Sequence, residues 1–232
     1  MADDPMIVME IGFNIFYLTF IWILVVLMGK QVGKVEVVNH PIARRFFWGF
    51  LLLASGDSGH LGFRIIAYAY GGLEVNALLV GIGALSTGIT ITFLYMLIWD
   101  VWRLRFGKTK NFLYYSLLAV GILRLILFFP AENQWGNVVP PFEWSLYRNI
   151  PLMVQGLVAA IFILIDARRQ QDSLYKKVSF CILCSYIFYT PVIFLVQVFP
   201  LTGMLMIPKT LAYMALAYVV YKGFFPHKIV ER

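Results

Sequence analysis

Seven long apolar segments restrict the fold of this chain more than any other feature of its sequence. A helix needs about 20 apolar residues to cross the hydrocarbon core of a bilayer. Hydrophobic residues make up 61% of the chain and charged residues only 13%, whereas soluble domains average about 25% charged residues. The sequence therefore predicts an all-α polytopic membrane protein, a single domain over residues 1–232, with seven transmembrane helices at about 6–29, 45–70, 76–101, 111–130, 148–167, 177–199 and 202–223.

The basic residues predict the orientation of these helices, because cytoplasmic loops are enriched in Lys and Arg. Alternate connections and the end of the chain contain 15 of the 19 basic residues: Lys30, Lys34, Arg44, Arg45, Arg103, Arg105, Lys108, Lys110, Arg168, Arg169, Lys176, Lys177, Lys222, Lys228 and Arg232. The other connections carry Glu74, Glu132 and Glu143 instead. We therefore expect a multi-pass protein of the bacterial inner membrane with its N-terminus outside and its C-terminus in the cytoplasm.

The same basic loops explain most of the net charge of +7. Loops of this kind face anionic lipid headgroups, so membrane lipids are the expected partners and nucleic acid is not. The acidic start of the chain does not resemble a signal peptide. No cofactor or metal site is predicted, because a His60 site with Asp57 and Glu10 would be surrounded by cations. The sequence makes no prediction about the oligomeric state.

Four basic residues lie outside the basic loops: Arg64, Arg124, Arg148 and Lys209. Each falls in the predicted outer half of a different span. A charge at the centre of a span costs about 2.5–3.5 kcal/mol on insertion scales, so it needs a partner or water. The convergence of these four residues predicts a positively charged polar pocket in the outer half of the bundle.

Polar residues at similar depth are the candidate partners of these cations. Asp57, His60 and Arg64 are three and four residues apart, which places them on one face of span 2. Other candidates lie on further spans: Glu10 and Asn14 on span 1, Asn149 beside Arg148 on span 5, Tyr189 on span 6, and Tyr213 one turn from Lys209 on span 7. We expect Pro208 to kink span 7, and the Pro- and Trp-rich connection 130–147 to form a structured lid or belt.

Structural explanations of the same residues stay open. Arg64 and Arg148 lie near the predicted outer interface, where long basic side chains snorkel to headgroups. Arg124 could form a packing ion pair with Asp57 or Glu10. An ion pair of Asp57 with Lys209 would also explain two of the buried charges.

Three sequence blocks, GDSGHLGFR, YRNIPL and GMLMIPKTLAY, resemble a family of uncharacterised bacterial seven-helix membrane proteins. That resemblance covers most of the chain and implies the architecture alone. The Gly56-Asp57 pair is similar to the Gly-Asp pair in an early span of lysoplasmalogenase-type membrane enzymes. Seven spans and Lys209 in the last of them also resemble the outline of rhodopsins, in which Lys209 would carry retinal. Span 3 has no buried counter-ion for it, because Asp100 is at its cytoplasmic end.

The first functional hypothesis is an intramembrane enzyme that acts on an anionic amphiphile such as a phospholipid or lysolipid. Asp57 or His60 would be the catalytic acid or base. The ligand-binding residues would be Glu10, Asn14, Arg64, Arg124, Arg148, Asn149, Lys209 and Tyr213, with arginine suited to bidentate contact with phosphate or carboxylate. The alternatives are a ligand-sensing receptor or partner subunit, and a carrier of an organic anion.

Overall fold

The computed structural model of the chain describes residues 5–225, and every regular element in that range is helical. Seven α-helices follow one another: α1 Pro5–Gln31, α2 His40–Ala69, α3 Ala77–Arg105, α4 Phe112–Ile126, α5 Phe142–Arg169, α6 Ser173–Leu195 and α7 Met206–Phe224. Short 3₁₀ segments lie at Val32–Lys34, Ala131–Asn133 and Pro200–Leu205. The predicted all-α class is therefore confirmed.

Five of the helices, α1, α3, α5, α6 and α7, are long and apolar enough to cross a membrane. The 15 residues of α4 rise by only about 22 Å, which is less than the roughly 30 Å of a hydrocarbon core. The 30 residues of α2 are long enough, but Asp57, His60 and Arg64 interrupt its apolar run, and α2 is not one of the five. The helical, apolar architecture is compatible with an integral membrane protein, while the number of spans stays a prediction.

Several predicted helix ends differ from those in the structure. Helix α5 begins at Phe142 rather than at 148, directly after Pro141, whose fixed φ suits the position before a helix. Helix α7 begins at Met206, so Pro208 lies in its first turn. The N–H groups of a first turn have no acceptor within the helix, so a proline there costs no helical hydrogen bond. The predicted kink at Pro208 is therefore wrong, and Lys209 lies at the very start of α7.

Ion pairs bring the ends of several helices together at one end of the bundle, which we call the basic end. Asp100 of α3 is bonded by Arg45 of α2, by Arg103 at 2.6 Å and by the hydroxyl of Tyr114 of α4 at 3.0 Å. Further pairs join the ends of α3, α5 and α6: Lys108–Asp166 at 3.1 Å and Arg105–Asp172 at 2.6 Å. The predicted basic loops thus meet at one end. Lys228 and Arg232 lie outside the described residues.

Helices α2 and α3 approach each other closely at glycines. A Cβ atom on Gly56 would lie 1.8 Å from the Thr90 hydroxyl oxygen, and one on Gly83 would lie 2.7 Å from the Gly59 carbonyl oxygen. Only glycine allows this approach. The approach brings Asp57, which follows Gly56, within hydrogen-bonding distance of Thr87 on α3.

The substitution Gly56→Ala tests this close approach. We expect it to lower the free energy of unfolding by about 1–3 kcal/mol, because the added methyl group overpacks the interface of α2 with α3. Thermal unfolding in detergent measures the change. Gly62→Ala is the matched control on the same helix, because a Cβ there has no atom within 4 Å. An equal melting temperature for the two variants would contradict the argument.

Candidate functional site

A cavity of about 190 Å³ lies between α2, α3, α4, α5, α6 and α7. Lys209 in the first turn of α7 and Arg124 in the last turn of α4 both line it. These helix ends are opposite to the basic end. Seven of the ten predicted site residues line the cavity: Asp57, His60, Arg124, Arg148, Asn149, Lys209 and Tyr213.

Arg124 is held by hydrogen bonds to two other helices. Its side chain is 3% exposed. Nε donates to the carbonyl oxygen of Arg148 at 2.7 Å, and Nη1 donates to the Gly88 carbonyl oxygen at 2.7 Å and to the Thr92 hydroxyl at 2.5 Å. Its predicted pairing with Asp57 or Glu10 is therefore wrong. Arg124 instead connects α4 to α3 and α5.

Arg148 is buried, and its guanidinium group makes no hydrogen bond within residues 5–225. The residue is 7% exposed, and its buried Nη1 has no partner among the described residues. Its guanidinium carbon lies 4.3 Å from the centre of the Trp135 ring. A buried charged donor without a partner is costly. Arg148 therefore lines the cavity with unused hydrogen-bonding capacity.

Lys209 also lacks an acidic partner. Its ammonium nitrogen lies 5.0 Å from the centre of the Tyr189 ring and 5.3 Å from that of Tyr213. Within residues 5–225 it makes no hydrogen bond or ion pair, so the ion pair with Asp57 considered from the sequence is not formed. Cation–π contacts contribute about 0.5–2 kcal/mol. They position the ammonium group and leave its three N–H donors free.

Asp57 accepts hydrogen bonds on both carboxylate oxygens. The hydroxyl of Tyr17 donates to Oδ2 at 2.5 Å, and the hydroxyl of Thr87 donates to Oδ1 at 2.6 Å. Two hydroxyl donors match a carboxylate that acts only as an acceptor. One helical turn further along α2, His60 has a buried Nδ1 with no hydrogen-bond partner in the described part of the chain.

Three predicted site residues lie away from the cavity. Arg64 pairs with Glu10 of α1 at 2.7 Å, and the Tyr68 hydroxyl donates to the same carboxylate at 3.0 Å. Asn14 is buried on α1 and does not line the cavity. Because Arg64 and Glu10 neutralise each other, they form a separate link between α1 and α2.

Thr87 and Trp135 are among the residues that line the cavity but were not predicted as site residues. Thr87 lines it as the donor to Asp57, and Trp135 lines it from the connection between α4 and α5. The carbonyl oxygen of Trp135 would lie 1.6 Å from a Cβ on Gly81 of α3, and its indole N–H donates to the Phe128 carbonyl oxygen at 3.2 Å. This connection is structured, and it contributes an aromatic wall.

The charges around the cavity do not balance. Arg124, Arg148 and Lys209 contribute three cations, and Asp57 contributes one carboxylate. In general, clefts lined by charges of one sign raise the local concentration of ions of the opposite sign. Within residues 5–225, no group of three or more His, Cys, Asp or Glu residues is arranged to hold a metal ion.

Comparison of the chain with protein-family models, with curated proteins and with solved structures finds no match. The resemblance of the three sequence blocks to a bacterial seven-helix family therefore stays a prediction. The functional argument rests on the geometry of the cavity.

The two buried arginines should respond differently to substitution by methionine. Arg124→Met removes the donor of three buried hydrogen bonds, to the carbonyl oxygens of Gly88 and Arg148 and to the Thr92 hydroxyl. Hydrogen bonds of a charged group contribute about 1.5–3 kcal/mol each, so we expect a lower melting temperature. Arg148→Met removes a charge that has no hydrogen-bonding partner, so the melting temperature of the ligand-free protein should stay the same or rise. Thermal unfolding in detergent distinguishes them. A larger loss for Arg148→Met would show that Arg148 is structural.

Proposed function

We propose that this integral membrane protein binds the anionic group of an amphiphile, a phosphate or a carboxylate, in the cavity around Arg124, Arg148 and Lys209. One observation carries the proposal. The buried guanidinium Nη1 of Arg148 has no hydrogen-bond partner within residues 5–225, and the residue is part of a cavity wall that includes two further cations. An oxyanion in the cavity would supply the missing acceptor.

The energetics support an anionic occupant. Two opposite unit charges about 4 Å apart attract each other by about 4 kcal/mol at an effective dielectric constant of 20. Asp57 neutralises at most one of the three cations. An oxyanion that meets Arg148 and Lys209 would therefore offset part of the cost of burying them. A guanidinium group suits such a ligand, because it can donate two parallel hydrogen bonds to one phosphate or carboxylate.

The size of the cavity favours a headgroup over a complete amphiphile. Its volume of about 190 Å³ is below the roughly 300–1,000 Å³ of typical small-molecule pockets. The polar group would enter the cavity, and the apolar chain would extend into the surrounding bilayer. The same limit argues against retinal on Lys209, because the chromophore is larger and apolar.

The hydrogen bonding of Asp57 favours binding over catalysis. Both of its oxygens already accept hydrogen bonds, from Tyr17 and Thr87. A general base must lie within hydrogen-bonding distance of the proton that it removes, and the two hydroxyl groups already occupy part of the space around this carboxylate. His60 keeps an unpartnered Nδ1 and is the better candidate for proton transfer. Catalysis by Asp57 or His60 therefore stays a hypothesis, and a receptor or a carrier would use the same binding step.

We further propose that all seven helices span the membrane, with the cavity towards the outside and the basic end in the cytoplasm. One observation supports the orientation, and a second supports the inclusion of α2 and α4 in the bundle. The ion pairs collect the basic connections at one end, where the excess of Lys and Arg predicts the cytoplasmic side. The short α4 packs against α5, and the polar α2 packs against α3.

Cysteine accessibility tests this orientation. In a variant with alanine at both native cysteines, Thr109→Cys marks the connection between α3 and α4, and Gly136→Cys marks the connection between α4 and α5. In intact cells, a membrane-impermeant maleimide should label position 136 and should reach position 109 only after permeabilisation. The reverse pattern would invert the proposed topology, and labelling of both positions would remove α4 as a span.

Ligand-dependent stability tests the proposed binding. Dodecyl phosphate should raise the melting temperature of the purified protein, because a ligand of the folded state at 100 times its Kd adds about 2.7 kcal/mol. Zwitterionic dodecyl phosphocholine should raise it much less. Arg148→Met and Lys209→Met should each raise the concentration of dodecyl phosphate that is needed for the same shift at least about tenfold. This corresponds to a loss of about 1.4 kcal/mol or more of binding free energy.

Lys110→Met is the matched control, because this substitution removes the same charge from an exposed lysine at the opposite end of the bundle. An equal shift in the control and in the two cavity variants would overturn the proposed site. A shift that is the same for the phosphate and the phosphocholine amphiphile would overturn the preference for an anion.

A further inference from the structure

A second depression lies on the outer surface of the bundle, between α5, α6 and α7. We call it the groove, and its volume is about 450 Å³. Its floor is apolar and includes Leu164 of α5, Phe180 of α6 and Val219 of α7. The side chain of Phe180 is 68% exposed. The groove therefore offers an open apolar surface.

Three cations lie on the rim of this groove: Arg168, Lys176 and Lys177. In the described part of the chain, the side chains of Arg168 and Lys177 make no ion pair or hydrogen bond, and Lys176 donates to the neutral Gln171 amide at 2.9 Å. The acidic residues next to them in the sequence are already paired. Asp166 pairs with Lys108 at 3.1 Å, and Asp172 pairs with Arg105 at 2.6 Å.

We propose that the groove binds one anionic phospholipid of the surrounding membrane, with its phosphate on Arg168, Lys176 and Lys177 and an acyl chain on the apolar floor. The cations and the floor point to the same occupant. Basic clusters at the cytoplasmic boundary of transmembrane helices bind anionic headgroups. A soluble anion would leave the apolar floor unused, and a zwitterionic lipid would leave the rim without a net countercharge.

This lipid site is independent of the cavity. The groove is at the basic end, where α5 ends and α6 begins, whereas the cavity is at the opposite end. The acyl chain would bridge α5, α6 and α7 on their outer surface.

Native mass spectrometry of the purified protein tests the proposal by titration with phosphatidylglycerol and, separately, phosphatidylcholine. We expect one molecule of phosphatidylglycerol to bind at least about tenfold more tightly than phosphatidylcholine. The triple variant Arg168→Gln, Lys176→Gln and Lys177→Gln should lose that preference. The matched control carries Lys30→Gln, Lys34→Gln and Arg44→Gln, three exposed cations near the same end, and should keep it.

Equal losses in the two triple variants would show attraction by the overall charge of the basic end and would overturn the site. No preference for phosphatidylglycerol in the unaltered protein would also overturn it.

The free thiol of Cys181 lines the groove and provides a second measurement that does not depend on the folding of the triple variant. In a Cys184→Ala background, phosphatidylglycerol in the bilayer should slow the modification of Cys181 by a maleimide at least about fivefold relative to pure phosphatidylcholine. Equal rates in the two membranes would contradict occupancy of the groove.

Discussion

The hydrogen bonds of Arg124 to main-chain carbonyl oxygens are the interaction on which the cavity depends. They connect the last turn of α4 to Gly88 on α3 and to Arg148 on α5. In a region where water is scarce, a polar group must find its partner inside the protein, so these bonds fix the relative depth of three helices. The bond to the Arg148 carbonyl oxygen also fixes the position of the backbone from which the Arg148 side chain extends.

The two cavity arginines therefore differ in role, although both are buried. Arg124 has its donors largely satisfied and acts as part of the framework. Arg148 rests on Trp135 and keeps an unused donor. Arg64 differs from both arginines, because Glu10 on the adjacent helix neutralises its charge. Arg148 and Lys209 differ from the other two arginines, because their cationic groups make no hydrogen bond or ion pair within residues 5–225.

Much of this arrangement follows from residue spacing. The all-α class and the shared depth of Asp57, Arg124 and Lys209 follow from counting along apolar helices, because helical geometry fixes both face and depth. The partners of the charges could not be predicted in the same way. Arg124 bonds to carbonyl groups that every residue possesses, and Thr87 reaches Asp57 because Gly56 lets two helices approach. Trp135 lies in the connection between α4 and α5. Helical periodicity does not apply to such a connection, so the position of Trp135 could not be predicted from residue spacing.

The contact of Trp135 with Arg148 bears on how an occupant of the cavity would be oriented. The guanidinium carbon of Arg148 lies 4.3 Å from the centre of the indole ring, so the ring occupies one side of the guanidinium group. The edge of a guanidinium group offers two donors side by side in one plane, and this matches two oxygen atoms on the same phosphorus or carbon atom. If an anion binds as we propose, the aromatic ring would therefore restrict the orientation of the anion at Arg148.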